Sequence, residues 1–197
     1  MTFNSLGLAP AYLRAVADEG YTEPTPVQRE AIPAVLAGGD LLVSSQTGSG
    51  KTAAFVLPGL QRLRTSATRP GIGPRMLVLT PTRELAMQVQ KATHGYCTGQ
   101  RLRTACLVGG MPFRRQLDEV RKPLDIVIAT PGRLKDHMDR GSLSLDRVEL
   151  LVSPHAIGTN GVEWGGLPGG SVAFLDELSA SPVGADVRIE GYVHRAG

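Results

Sequence analysis

Five short apolar runs, at residues 40–44, 76–80, 104–108, 125–129 and 148–152, set the architecture open to this chain. They are rich in leucine or β-branched residues, and the stretches between them carry helical periodicity. Strands joined through helices run parallel, because a tight hairpin cannot link them. The expected fold is therefore α/β, with a mainly parallel, doubly wound sheet covered on both faces. Ligands in such sheets bind beyond the carboxyl ends of the strands, so the loops at 45–50, 81–83, 109–110 and 130–133 are expected to converge on one rim. Helix signals fit this rhythm. Thr25 is a suitable N-cap with Pro26 at the first helical position, and Gly38 and Gly39 stop that helix before the first strand. The run 62–75, with Pro70, Gly71, Gly73 and Pro74, is expected to be an exposed flexible connection.

The loop after the first run reads Ser45, Gln46, Thr47, Gly48, Ser49, Gly50, Lys51, Thr52. Placed between a strand and a helix, these residues have the context of a phosphate-binding P-loop. Glycines let backbone N–H groups turn inward around phosphate oxygens, and the helix N-terminus adds partial positive charge. Lys51 suits the β- and γ-phosphates of a nucleoside triphosphate, and the Thr52 hydroxyl suits Mg²⁺. Ser45 stands where the general pattern has its first glycine. A glycine-rich turn that merely ends in Lys-Thr is the bland alternative, and the order strand, loop, helix weighs against it.

The 197 residues suffice for one domain with a real core and fall short of two such domains. With 42% hydrophobic and 20% charged residues the chain reads as globular, and no apolar run approaches the ~20 residues of a membrane span. The N-terminus lacks the basic and apolar regions of a secretory signal, so a cytoplasmic location is expected. Cys97 and Cys106 lack CxxC spacing, and His94, His137, His155 and His194 form no zinc pattern, so neither a protein-held zinc nor a disulfide framework is expected. The formal charge of +3 is uneven: residues 153–197 hold two arginines against five acids, a net of −3, which leaves +6 on residues 1–152. That basic part either attracts a polyanion such as RNA or is simply a solvated surface.

Taken in order, Gly20 to Gln28 (including Tyr21, Thr25 and Pro26), Ser45 to Thr52, Pro81-Thr82-Arg83-Glu84-Leu85-Ala86, Gly109-Gly110 and Thr130-Pro131-Gly132-Arg133 resemble successive motifs of the DEAD-box ATP-dependent RNA helicases. The similarity runs from about residue 2 to 152. It implies a RecA-like P-loop lobe that binds ATP with Mg²⁺. It implies that Gln28 hydrogen-bonds the adenine edge, that Phe3 stacks on the base and that Tyr21 lies in the same adenine-selective segment. A Gln amide can donate and accept toward that edge; a core aromatic is the alternative for Phe3. The resemblance also implies that Pro81, Thr82, Arg83, Gly109, Gly110, Thr130, Pro131, Gly132 and Arg133 grip the RNA sugar–phosphate backbone. The residue types suit the task, with forked guanidinium donors, helix N-termini and close-approach glycines, and such contacts are sequence-tolerant. Singly, each loop could be only a helix start with a solvated arginine.

The resemblance breaks after Val152. The family places Asp-Glu-Ala-Asp there, and this chain has Ser153, Pro154, His155 and Ala156. Those carboxylates hold the Mg²⁺ shell and position or deprotonate the attacking water, so their loss removes both functions. Val172-Ala173-Phe174-Leu175 followed by Asp176 and Glu177 has the form of a Walker B strand, and could replace them if it lies beside the P-loop strand; two exposed surface acids are the alternative. Ser179-Ala180-Ser181 and Tyr192 to Arg195 are fainter echoes of later family motifs. Residues 153–197 carry nine glycines, which weakens any helix or strand expectation. They are expected to be a divergent tail of uncertain fold, either selected or left by a rearrangement or frameshift. The expected function is an ATP-binding, RNA-contacting lobe, 1–152, with Lys51 and potentially Asp176 and Glu177 as catalytic groups, little turnover, and no second lobe in these residues. A non-hydrolysing nucleotide or RNA module and a P-loop kinase are the alternatives.

Overall fold

The computed structural model describes residues 1–43, 48–65, 73–97, 100–152, 172–183 and 186–194, the last two segments by their backbone alone. Contacts divide the chain into two compact units. One comprises Met1–Arg62, Ala156–Ser181 and Arg188–Gly197, and the other Leu63–His155 and Pro182–Val187.

The first unit opens with a 3-10 turn, Phe3–Leu6, followed by α1 (Pro10–Asp18), α2 (Pro26–Ala37), β1 (Asp40–Val43) and α3 (Lys51–Thr65). Thr25 in extended conformation and Pro26 start α2, and Gly38 at φ +95° ends it in the left-handed conformation that glycine adopts without strain. The Arg62 guanidinium donates to the Val35 carbonyl at 3.2 Å, satisfying one of the open carbonyls of the last turn of α2. Tyr12, Ile32, Leu57 and Leu60 are fully buried in this unit. Gln61 ties the chain's start to α3: its Oε1 accepts from the Ala9 N–H at 2.7 Å, and its Nε2 donates to the Gly7 carbonyl at 2.9 Å.

The second unit is a four-stranded parallel sheet in the order β3-β4-β2-β5. Its elements are β2 (Met76–Leu79), α4 (Arg83–Tyr96), β3 (Thr104–Leu107), α5 (Phe113–Val120), β4 (Ile126–Ala129), α6 (Pro131–Asp139) and β5 (Leu150–Val152). Both inner strands, Met-Leu-Val-Leu and Ile-Val-Ile-Ala, are buried at every residue, which is why they read as continuous apolar runs rather than alternating ones. Arg75, just before β2, is buried and forms an ion pair with Glu149 at 3.0 Å, and its other end donates to the Leu63 carbonyl at 2.7 Å. That pair fixes the amino ends of the adjacent strands β2 and β5.

The α/β class with a mainly parallel sheet is what the apolar rhythm requires, and the five strands fall within two residues of the expected runs. Three differences are physical. First, β1 does not pair within the parallel sheet; it pairs antiparallel with β6 (Val172–Val183), which continues to β7 (Asp186–His194) in the order β1-β6-β7. An apolar run announces a strand but not its partner. Second, the glycine-rich segment contains these two strands, because interspersed Val, Phe, Leu and Ile outweigh glycine's backbone cost. Third, α3 runs to Thr65, past the start of the expected flexible connection, on residues with good helix propensity.

Candidate functional site

In the first unit Gly48 and Gly50 lead into α3 with φ of +80° and +84°. Glycine adopts those left-handed conformations without strain, and a phosphate-binding turn calls for residues of that kind. Lys51 and Thr52 are half-buried in the first turn of α3, which contains no acidic residue to oppose an anion. Burial lowers the Lys51 pKa from its ordinary value of 10.5. Ser45, Gln46 and Thr47 lie outside the described residues, whereas Ser49 is half-buried beside the glycines.

Gln28, in the first turn of α2, is fully buried. Its Oε1 accepts from the Thr25 N–H at 3.0 Å, and its Nε2 donates to the Gly50 carbonyl at 3.1 Å. The same carbonyl accepts from the Ala54 N–H at 3.2 Å, the first helical bond of α3. A side chain on Gly50 would run into the Gln28 amide nitrogen. Gln28 and the glycine loop are thus one assembly, although 22 residues separate them. Phe3 is buried in the opening turn, which packs on α2, while Tyr21 is exposed.

These residues fit a nucleotide triphosphate: two left-handed glycines, a lysine and a helix head free of acids. No cluster of three potential metal ligands occurs among the described residues. The β1–β6 register pairs Val43 with Val172 and Asp40 with Leu175. Asp176 and Glu177 follow Leu175, so the backbone carries them past the amino end of β1, the end away from Lys51. Ser153 to Ala156 lie outside the described residues, as does Arg195.

In the second unit the loops after β2, β3 and β4 share one end of the sheet, because the strands are parallel. Pro81 and Thr82 are exposed, and Thr82 caps α4 by accepting from the Leu85 N–H at 3.2 Å. Arg83 is exposed and lies across Gly110, whose φ of +73° and lack of a side chain admit the guanidinium. Gly109 and Gly132 have nothing within 4 Å of the place a Cβ would occupy. Thr130 precedes α6 in extended conformation, and Pro131 begins the helix. Arg133 is turned inward, its side chain 12% exposed: it donates to the Met111 carbonyl at 3.0 Å and lies 3.5 Å from Asp136. It therefore joins the Gly109–Gly110 loop to α6, and Arg83 is the guanidinium that faces outward.

Sequence reasoning missed Gln61, Gln116 and His137. The last two are fully buried polar groups behind the same loops. Their signal was faint: the only other buried residue in each helix is Val120 in α5 and Leu134 in α6. Cys97 and Cys106 are buried and free. Burial and then Asp125 push the Cys97 thiol up to about 11, and burial and then Glu119 do the same for Cys106, so neither is a ready nucleophile.

The sequence model of the DEAD/DEAH box helicases matches residues 25–153. DEAD-box ATP-dependent RNA helicase 52A of Oryza sativa subsp. japonica is 45% identical over 166 residues, spanning 78% of this chain and 28% of that protein. DEAD-box ATP-dependent RNA helicase RhpA of Helicobacter pylori is 44% identical over 137 residues, 70% of this chain and 27% of that one. The chain thus spans under a third of the length of these relatives. The crystal structure of a DEAD box protein from the hyperthermophile Methanococcus jannaschii superposes with a TM-score of 0.69 at 35% identity, covering 78% of this chain and 41% of that one. With its glycine loop, its Gln28 assembly and its RecA-like parallel sheet, the chain belongs to the DEAD/DEAH box helicase family.

Proposed function

We propose that this chain is the ATP-binding and RNA-contacting lobe of an ATP-dependent RNA helicase, with hydrolysis impaired. The family match over residues 25–153 carries the reading, and the Gln28–Gly50 assembly at the head of α3 supports it. Gly48 to Lys51 hold the triphosphate through backbone amides and the Lys51 ammonium, Thr52 reaches its magnesium, and Gln28 with Tyr21 and Phe3 selects adenine. Gln28 serves this role by exchanging its bond to Gly50 or Thr25 for the base. Residues 1–152 form this lobe and 153–197 a divergent tail, since the family match stops at 153. Magnesium supplies charge neutralisation at the phosphates; the chain's own residues bind and orient the nucleotide. No carboxylate pair directly follows β5 in the sequence to position a water, so turnover is slow.

Arg83, Gly109, Gly110 and the head of α6 at Thr130 to Gly132 contact RNA phosphates, with Arg133 and Pro81 shaping the loops. Strand separation in such enzymes requires a second lobe to close over both ligands, and we assign it to this chain only when joined to one. No helix among the described residues is long and apolar enough to cross a membrane, and we place the chain in the cytoplasm. Calorimetric titration with magnesium ATP and GTP tests the nucleotide site: ATP should bind at least tenfold tighter, and equal binding would point to a P-loop kinase instead. Labelled single-stranded RNA should bind with an affinity that falls steeply with salt and depends little on sequence. An ATPase rate equal to that of complete family members would refute impaired hydrolysis.

A further inference from the structure

Gln116 and His137 are buried polar side chains that none of the roles above employs. Gln116 Nε2 donates at 2.8 Å to the carbonyl of Val108, the peptide that leads into Gly109 and Gly110. A carbonyl has no proton to offer, so this bond fixes the orientation of the amide. Gln116 Oε1 then faces His137 Nε2 at 3.4 Å, and since it can only accept, Nε2 carries the imidazole proton. His137 Nδ1 lies 2.9 Å from Ser142 Oγ, whose single proton is shared between that nitrogen and the His137 carbonyl, which accepts from it at 2.9 Å. Phe113 stacks on the imidazole with centroids 4.2 Å apart, and the Arg140 guanidinium lies 4.4 Å from the Phe113 centroid. A chain of bonds therefore runs from the loop after β3, through α5, to α6 and the turn beyond it.

We propose that Gln116 and His137 are positioning residues for RNA: they hold the Val108 carbonyl to α6, so that the loops at 109–110 and 130–133 meet one sugar–phosphate strand in a fixed arrangement. The proposal rests on the RNA reading given above. Neither side chain reaches the surface, so both act through the loops. The neutral Nε2–H form is the one the surroundings select. Burial and then Arg133 disfavour the imidazolium, Arg140 adds to this, and Asp136 opposes it. The other elements against the ring present uncharged groups, Phe113 and Gln116 from α5 and Ser142 from the following turn. The His137 pKa is thus lowered from 6.5, and its stabilising effect is present above 6.5 and lost as pH falls toward the folded value.

Four measurements on the full chain decide the matter. Long-range nitrogen–proton NMR of the imidazoles should show His137 as the neutral Nε2–H tautomer at pH 7, titrating below 6.5. Gln116→Met and His137→Phe keep most of the buried volume and remove the relay. Each should weaken binding of a labelled single-stranded RNA on the order of tenfold, shift the Gly109 and Gly110 amide signals, and leave ATP affinity unchanged. A Nδ1–H tautomer would overturn the proposal, as would folded variants that bind RNA as tightly as the parent. Should the variants not fold, the parent's tautomer and titration still decide. A parent chain that binds no RNA at all refutes the RNA reading itself, which is a different result from variants that bind equally well.

Discussion

A single missing side chain governs the proposed nucleotide site. Gly50 has a left-handed backbone and sits against the Gln28 amide, so any Cβ there strains the backbone and displaces Gln28 together. Gly50→Ala should cost roughly 1–3 kcal/mol in urea denaturation and weaken magnesium ATP binding by more than tenfold. Gly48→Ala is the control, since nothing lies within 4 Å of its Cβ position and only the backbone conformation is penalised. If both substitutions had equal effects on nucleotide affinity, the Gln28 contact would be irrelevant. Lys51 and Thr52 were singled out on local spacing between a strand and a helix, and the helix that starts at Lys51 was legible there. The bond from Gln28 to Gly50 was not, because it spans 22 residues and depends on how α2 packs.

Among elements, the strands declared themselves and their neighbours did not. Continuous apolar runs marked β2 and β4 as buried on both faces, which is a property of composition. Pairing depends on register and on competing partners, so β1 with β6 could not be read from the same pattern. The ion pair of Arg75 with Glu149 shows what holds two such strands once paired, with side chains only 5% and 15% exposed. Arg75→Met removes the guanidinium from beside the Glu149 carboxylate and should cost roughly 3 kcal/mol in urea denaturation. Adding Glu149→Leu should recover most of that loss, because desolvation consumes much of what a buried pair contributes. A double variant as unstable as the single one would show that Arg75 acts through its bond to the Leu63 carbonyl instead.

At the scale of the whole chain, the family was legible because its motifs fall in order across residues 20–133, each at a strand end or helix start. What the order of motifs left open was the role of the residues after 153, where the family match stops. In the structure β1, the strand that precedes the glycine loop and α3, has β6 of that segment as its sheet neighbour. The segment is thus more than an appendage. A protein shortened at Val152 would strip β1 of its ladder, baring a row of amides and carbonyls a few residues from Lys51. Such a truncate should self-associate at concentrations where the parent stays monodisperse, which light scattering would detect, and soluble, ATP-competent truncate would show that the cradle stands unaided.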